Sequence, residues 1–135
     1  MTSFVSHTSI DAGNAYELSQ WWRQVLDYTD VPGDPNEPDH PECMIQRADG
    51  GHRILFLEVP EVKGVKNRIH LDLRPVAGTR DEELARLLSL GARQVGDYRG
   101  KYGPGSGWVV LADPEGNEFC ILRSQQEVEA QEQTG

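Results

Sequence analysis

The sequence has few cysteines, few basic residues and no long apolar run. Two of its 135 residues are cysteine, and 13 lysines and arginines stand against 22 aspartates and glutamates, giving a formal net charge of −9. Nucleic acids and anionic membranes bind through basic patches, so neither is an expected partner. No apolar stretch approaches the roughly 18 residues that a membrane-spanning helix requires.

The two cysteines also bear on where the chain works. Cys43 and Cys120 are too few and too far apart for a disulfide framework, so two free thiols in a reducing cytoplasm are expected. Residues 1–10 lack the basic start and apolar centre of a signal peptide, which favours the same location. The length fits one domain with a substantial core.

The stretch from residue 66 to residue 75 alternates polar and apolar positions, as an extended strand does. Its apolar positions would pack on a core. Its other face would present Arg68, His70, Asp72 and Arg74. An ordinary solvated strand face carries mainly Lys, Glu and Thr, whereas His, Asp and Arg are side chains that often take part in catalysis or ligand binding. A pocket lining and a solvated edge are both open interpretations.

The order strand, helix, strand, strand, strand is predicted twice, about 63 residues apart. Asn14 with Glu17 opens one helix with a capping-box pattern, and Thr79 with Glu82 opens the other. Each repeat would place one helix on a four-stranded sheet. Facing the bare sides of the two sheets would form a cup, in which His7 and His70 would hold related positions.

The two ends of the chain carry further expectations. Residues 4–10 are predicted as the first strand. From Ser124 to Gly135 the chain is polar and acidic and has no large apolar anchor. We expect a frayed tail or a short surface helix there, whose removal costs little stability.

Three segments resemble the vicinal oxygen chelate superfamily, which includes glyoxalases, bleomycin-resistance proteins and ring-cleaving dioxygenases. The chain is most similar to the glyoxalase-like domain group, over roughly residues 4–123. The segments are His7 with Asn14, Ala15, Trp21 and Trp22; residues 66–73; and residues 108–122.

This resemblance implies an α+β fold of two βαβββ modules, at about residues 1–60 and 66–123. The two modules would form one cupped domain over residues 1–123, followed by a polar C-terminal tail at 124–135. The resemblance also implies a small-molecule ligand and a homodimer.

Metal-dependent members of that superfamily take ligands from the first and last strands of each module. His7 and His70 match the two first-strand positions. Cys120 stands where the second half usually has glutamate, and Leu57 is the expected counterpart in the first half. No tightly held metal is therefore favoured. A bound ion would be zinc on His7, His70 and a Cys120 thiolate, because Mg, Mn and Fe suit a carboxylate-rich site.

Several functions of different classes fit these residues. The first is a lyase or isomerase acting on a small oxygenated compound by proton transfer, with His70 and Asp72 supplying the base and Arg74 the electrophile. The second is a non-catalytic, bleomycin-resistance-like binder that sequesters an antibiotic or senses a metabolite, with Trp108 walling its pocket. The third is a module whose pocket is vestigial. Each candidate also has an ordinary structural alternative, and the remaining pocket candidates are His7, Glu118 and Cys120.

Overall fold

A computed structural model describes residues 1–134 and divides the chain into two compact units. The first unit spans Met1–Val62 and the second begins at Lys63. Each contains one four-stranded mixed sheet and one principal helix in the order βαβββ, which confirms the predicted α+β fold of paired modules. Gly135, the end of the predicted tail, lies outside the described residues. The single domain over residues 1–123 stays a prediction.

The first unit consists of strand β1 (Thr8–Ala12), helix α1 (Ala15–Leu26) and strands β2 (Thr29–Asp30), β3 (Glu42–Gln46) and β4 (Arg53–Glu58). The strand order is β1-β4-β3-β2, with β1 parallel to β4 and the other pairs antiparallel. The Asn14 side chain accepts a hydrogen bond from the Glu17 amide at 3.0 Å, which confirms the predicted helix start. Helix α1 then buries Trp21 and Trp22, whose rings meet edge to face with centroids 5.2 Å apart.

The second unit consists of strand β5 (Leu71–Leu73), helix α2 (Arg80–Ser89), strands β6 (Arg93–Asp97), β7 (Val109–Ala112) and β8 (Glu118–Ile121), and helix α3 (Gln125–Thr134). The strand order β5-β8-β7-β6 repeats that of the first unit, and β5 is parallel to β8. Thr79 and Glu82 form the predicted capping box at the start of α2. None of the helices within residues 1–134 combines the length and apolar character needed to cross a membrane.

Two predicted strands are wrong in extent. Strand β1 begins only at Thr8, and Phe4 is 90% exposed. The predicted strand over residues 66–75 shrinks to the three residues of β5. The reason is that the Lys66 ammonium and the Asn67 amide bond to the Glu118 side chain instead of joining a strand ladder. His70 consequently lies just before β5 rather than within it.

The predicted tail forms α3, the surface-helix alternative, and it is attached to the second unit. The Glu127 carboxylate accepts hydrogen bonds from the amides of Ser124 at 2.8 Å and of Arg80 at 2.6 Å. Ser124 is only 1% exposed. The bond to Arg80 satisfies an amide at the start of α2, where no intrahelical partner exists. The structure therefore argues against the expectation that the tail can be removed at little cost.

Candidate functional site

The sheet of the second unit has two different faces. Helix α2 contacts β8, and Phe119 and Ile121 of that strand are 1% and 0% exposed. Because successive strand side chains point to opposite faces, Glu118 and Cys120 point away from these core residues. Cys120 is paired with Asp72 across β8 and β5, so both side chains belong to this second face. We call it the site face.

His70, Asp72 and Cys120 form a cluster on the site face. Nδ1 of His70 lies 3.1 Å from Oδ1 of Asp72, and Sγ of Cys120 lies 3.9 Å from the same Nδ1. An Nδ1–H that donates to the carboxylate leaves the ring's lone pair on Nε2, so this contact assigns the tautomer. The side chains of His70 and Asp72 are 40% and 51% exposed, so a ligand can reach them.

Cys120 is the buried member of this cluster, with 4% of its surface exposed. Burial, together with the nearby charge of Asp72, raises the pKa of its thiol to about 11. The group is therefore a protonated thiol at neutral pH. Because the thiolate is the nucleophile and the metal ligand, Cys120 is poorly suited to either role in this state.

Arg74 lies just beyond β5, two residues after Asp72. Its Nη1 donates a hydrogen bond to the main-chain carbonyl of Arg123 at 2.6 Å, which fixes the guanidinium. The other N–H groups of a guanidinium provide donors beyond that single bond. Arg74 therefore keeps donors that a ligand could use.

Glu118 anchors the segment before β5 to β8. Its carboxylate accepts hydrogen bonds from the Asn67 amide at 2.9 Å and the Lys66 ammonium at 3.0 Å. Nζ of Lys63 lies 3.8 Å away. The hydrogen bond from the Asn67 amide, aided by Lys66, lowers the pKa of Glu118. Glu118 is therefore a partnered carboxylate that holds a loop, a role that its sequence position did not indicate.

A cavity of about 440 Å³ opens beside Glu118. Apart from Glu118, sequence reasoning identified none of its lining residues. Its basic side chains come from the loop before β5 and from β6. Several basic residues close together in so acidic a chain are the feature by which the sequence could have indicated this cavity. The lining includes Lys63, Lys66, Arg93, Val95, Ala112 and Glu118.

Trp108, the predicted pocket wall, is part of an aromatic stack. Its ring stacks on Tyr98 and on Tyr102, with centroid distances of 5.3 and 5.7 Å. Tyr102 is 67% exposed, so its side chain is the accessible part of the stack. A planar ligand could contact Trp108 by taking the place of Tyr102.

His7 lies in the first unit, immediately before β1, and is half-buried. Its Nδ1 is 3.0 Å from the hydroxyl of Ser6. The strand register corrects the residue expected to correspond to Cys120 in the first unit. Cys120 is paired with Asp72 in the second unit, and the equivalent pair in the first unit is Leu55 with Ser9. The counterpart is therefore Leu55 rather than Leu57. Neither leucine offers a metal-binding atom.

The cluster on the site face has a mixed set of donor atoms. One atom each from His70, Asp72 and Cys120 lie within 4.8 Å of one another. An imidazole, a carboxylate and a thiol fit zinc better than manganese, which prefers oxygen ligands. The raised pKa of Cys120 opposes binding of either ion, because the thiol must first lose its proton. The role of His7 as a ligand stays a prediction.

Known structures share this fold. The fosfomycin resistance protein FosX from Mesorhizobium loti has 14% sequence identity and a TM-score of 0.64, with 96% of this chain and 99% of that chain covered. A FosX variant from Listeria monocytogenes, complexed with Mn(II) and 1S,2S-dihydroxypropylphosphonic acid, has 17% identity and a TM-score of 0.67, with coverage of 97% and 99%.

A protein from Bacillus cereus, described as a possible glyoxalase, has 12% identity and a TM-score of 0.62, with 90% of this chain and 99% of that chain covered. At such identities the similarity establishes the fold alone. No curated protein matches the chain. The profile of the glyoxalase-like domain matches residues 7–122, which is most of the sequence. The chain therefore belongs to the glyoxalase-like domain family of the vicinal oxygen chelate superfamily.

Proposed function

We propose that the chain is a lyase or isomerase that transfers a proton on a small oxygenated compound. The observation that supports this proposal is the 3.1 Å contact between Nδ1 of His70 and Oδ1 of Asp72 on an accessible part of the site face. A carboxylate that holds one ring nitrogen orients the imidazole and stabilises the imidazolium that forms when the other nitrogen accepts a proton.

In this proposal Nε2 of His70 removes a proton from the carbon next to a carbonyl group of the substrate. The electrons of the broken C–H bond move onto the carbonyl oxygen and create an enolate. Arg74 stabilises that negative charge, since preorganised cationic donors act most strongly where charge develops. The imidazolium then returns the proton to a different atom in an isomerase, or to a leaving group in a lyase. Cys120 remains a neutral thiol that packs behind the histidine.

Deuterium exchange tests the first step whatever product the reaction forms. The full-length protein is incubated in D₂O with small hydroxyketones, 2-oxo acids and lactones, and ¹H NMR follows the signal next to the carbonyl. We expect at least one compound to exchange faster with the protein. His70→Ala should slow the catalysed exchange by about 10²–10⁴-fold, the usual contribution of a general base. Asp72→Asn should cause a smaller loss.

Arg68→Gln is the matched control, because Arg68 is an exposed residue of the same segment and lies outside the cluster of His70, Asp72 and Cys120. Its exchange rate should equal that of the wild type. Equal rates for the wild type and His70→Ala, with every compound that exchanges, would contradict the proposal.

A non-catalytic binder is the second candidate, and the stack of Trp108 on the exposed Tyr102 favours it. Aromatic faces give large contact area to planar ligands. Differential scanning with an antibiotic panel, bleomycin included, would reveal such a ligand as a rise in melting temperature. A binder predicts that Trp108→Leu abolishes this rise and that His70→Ala preserves it. The reverse pattern favours the enzyme.

We also infer a cytoplasmic homodimer. The second unit has an edge strand, β6, on which Val95 is 48% exposed, and exposed strand edges favour pairing. Two free cysteines suit a reducing compartment. Sedimentation equilibrium at micromolar concentration should give about twice the 15.1 kDa chain mass. A mass equal to one chain would contradict the dimer.

A further inference from the structure

The cavity beside Glu118 collects positive charge in an acidic chain. Lys63, Lys66 and Arg93 line it, and Glu118 is the one acidic group among the lining residues. The cavity therefore carries a formal charge of about +2, by three cations less one carboxylate. The whole chain carries −9, so this local excess runs against the overall composition. Such a local charge attracts an anion.

Arg93 is the basic group that the protein leaves available. Glu118 already engages both lysines, at 3.0 Å to Lys66 and 3.8 Å to Lys63. Among the described residues, no carboxylate lies within ion-pair distance of Arg93, which is exposed on β6. A guanidinium is suited to bind a carboxylate or phosphate through two parallel hydrogen bonds. The lysines add charge without needing to leave Glu118.

The strand register places these groups on opposite sides of a small residue. Arg93 is paired with Ala112, and Ala112 is paired with Glu118, so the three lie in one row across the sheet. Strands in a sheet are about 4.8 Å apart, which separates the outer two by about 10 Å. Ala112 has only a methyl group between them, and although it is buried it belongs to the lining of the cavity.

From Glu118, at one end of this row, the site face leads along β8 toward the His70–Asp72 pair. Glu118 and Cys120 are two residues apart on β8 and share the site face, at a spacing of about 7 Å along the strand. Cys120 in turn contacts His70. A small molecule could therefore place a charged group beside Arg93 and a reacting carbon closer to His70.

We propose that this cavity binds the phosphate or carboxylate group of the substrate, which makes the substrate a small anionic oxygenated compound. The inference rests on the proposed proton transfer at His70, and it adds the recognition of charge to it. Arg93 is the principal ligand, and Lys63 and Lys66 supply supporting positive charge. An uncharged analogue of the same compound would lack this contact.

Binding of simple anions tests the cavity separately from any reaction. The full-length ¹⁵N-labelled protein is titrated with inorganic phosphate and, in a second series, with acetate, at constant ionic strength. We expect amide shifts at Gly64, Arg93, Val95 and Gly116, which all line the cavity. Arg93→Gln should weaken this binding by about five- to tenfold, in line with the loss of one charge-assisted hydrogen bond. Phosphate binding tighter than acetate would identify a phosphorylated substrate, and the reverse a carboxylate.

Arg68→Gln removes the same charge outside the lining residues and should leave anion binding unchanged. Shifts that are scattered over the surface, or an equal weakening by Arg93→Gln and Arg68→Gln, would overturn the cavity as an anion site. That outcome would leave the exchange assay with His70→Ala unaffected. Conversely, localised anion binding with no catalysed exchange would support the anion site and contradict the proton-transfer enzyme.

Discussion

The two units share a topology and differ in the chemistry of equivalent positions. In each unit, the third residue of the last sheet strand is paired with the second residue of the first strand. That pair is Ser9 with Leu55 in the first unit and Asp72 with Cys120 in the second. One backbone arrangement therefore presents a hydroxyl and an aliphatic group in one unit, and a carboxylate and a thiol in the other.

A neighbouring row repeats this contrast. In both units the first residue of the last sheet strand (β4 or β8) is paired with the last residue of the strand before it (β3 or β7). That last residue is paired in turn with the first residue of β2 or β6. The rows are Thr29–Gln46–Arg53 in the first unit and Arg93–Ala112–Glu118 in the second. The buried residue in the middle is the long Gln46 in the first row and the small Ala112 in the second. All three residues of the second row line the cavity.

The helices show the opposite distribution. Helix α1 buries two tryptophans on its sheet, whereas α2 buries mainly Leu84 and Leu87. Strand β1 has five residues paired with β4, and β5 has only three paired with β8. We infer that the first unit serves mainly as scaffold. The second unit holds the candidate reactive residues and has a shorter first strand.

Trp22→Ala should produce the largest effect on stability, because Trp22 is 1% exposed in the core of the first unit. Replacing a buried tryptophan by alanine costs about 3–5 kcal/mol. Urea unfolding followed by circular dichroism measures the loss. Val76→Ala in the second unit is the control and should change stability by less than about 0.5 kcal/mol, because the Val76 side chain is fully exposed. Similar losses for the two variants would contradict the assignment of the first unit as scaffold.

Gly107→Ala should be the next most disruptive change. Gly107 has φ +87°, and an added Cβ would lie 1.9 Å from the carbonyl oxygen of Tyr98. The loop must move, which we expect to cost about 2–3 kcal/mol and to disturb the Trp108 stack in near-ultraviolet circular dichroism. Gly33→Ala in the first unit is the matched control, since its φ is +82° with nothing within 4 Å. It should cost about 1 kcal/mol. Equal costs would show that backbone conformation alone requires Gly107.

The sequence predicts the fold well because its signals are local. The Asn14 and Thr79 caps fix the helix starts, and the repeated order of elements fixes the topology. The extent of β5 could not be predicted in the same way. Alternation continues over residues 66–75, but β8 offers only four residues, and the Glu118 side chain binds the segment that would otherwise extend the strand.

The candidate site was predicted in part for the same reason. His70 and Asp72 are two residues apart, so alternation predicts them on one face, and they are in contact although His70 lies outside β5. The cavity combines Lys66 with Arg93, which are distant in sequence and meet only through the pairing of β6 with β7 and of β7 with β8. That register includes an irregularity between Gln94 and Gly96, which no alternation pattern would reveal.

The two cysteines allow a smaller test of the contrast between the units. Burial raises the pKa of both thiols, and Asp72 contributes to the rise to about 11 only at Cys120. Asp72→Asn removes a negative charge that opposes the thiolate, so the pKa of Cys120 should fall. It should stay above the ordinary thiol value because burial, the larger cause, persists. The pKa of Cys43 should not change.

The rate of alkylation by iodoacetamide as a function of pH, measured for each cysteine by peptide mass spectrometry, follows the pKa of Cys120. Cys43 is fully buried, so its rate serves as the reference for opening of the structure. In the wild type, Cys120 should react slowly at pH 8 and accelerate as the pH approaches 11. Asp72→Asn should shift that rise to lower pH at Cys120 alone. A shift of the same size at Cys43 would indicate general loosening of the structure instead of a local charge effect.

Removal of metal should have the smallest effect, with no measurable change. At the equivalent strand pair the first unit has Ser9 and Leu55 and the second has Asp72 and Cys120. Of these two described pairs, only the second therefore offers a carboxylate and a thiol to a metal. The thiol among them holds its proton to about pH 11. We therefore expect protein purified without chelator to carry well under one equivalent of any transition metal. Its melting temperature and deuterium-exchange rate should not change with EDTA.

The same experiment identifies the opposite case. Zinc fits the His70, Asp72 and Cys120 atoms better than manganese does, because the set contains nitrogen and sulfur as well as oxygen. A stoichiometric metal that is lost on His70→Ala would overturn the expectation. Zinc would then bind Cys120 as its thiolate and would protect that cysteine from alkylation. With no metal, EDTA leaves the alkylation rate of Cys120 unchanged, which makes the thiol itself the reporter of the site.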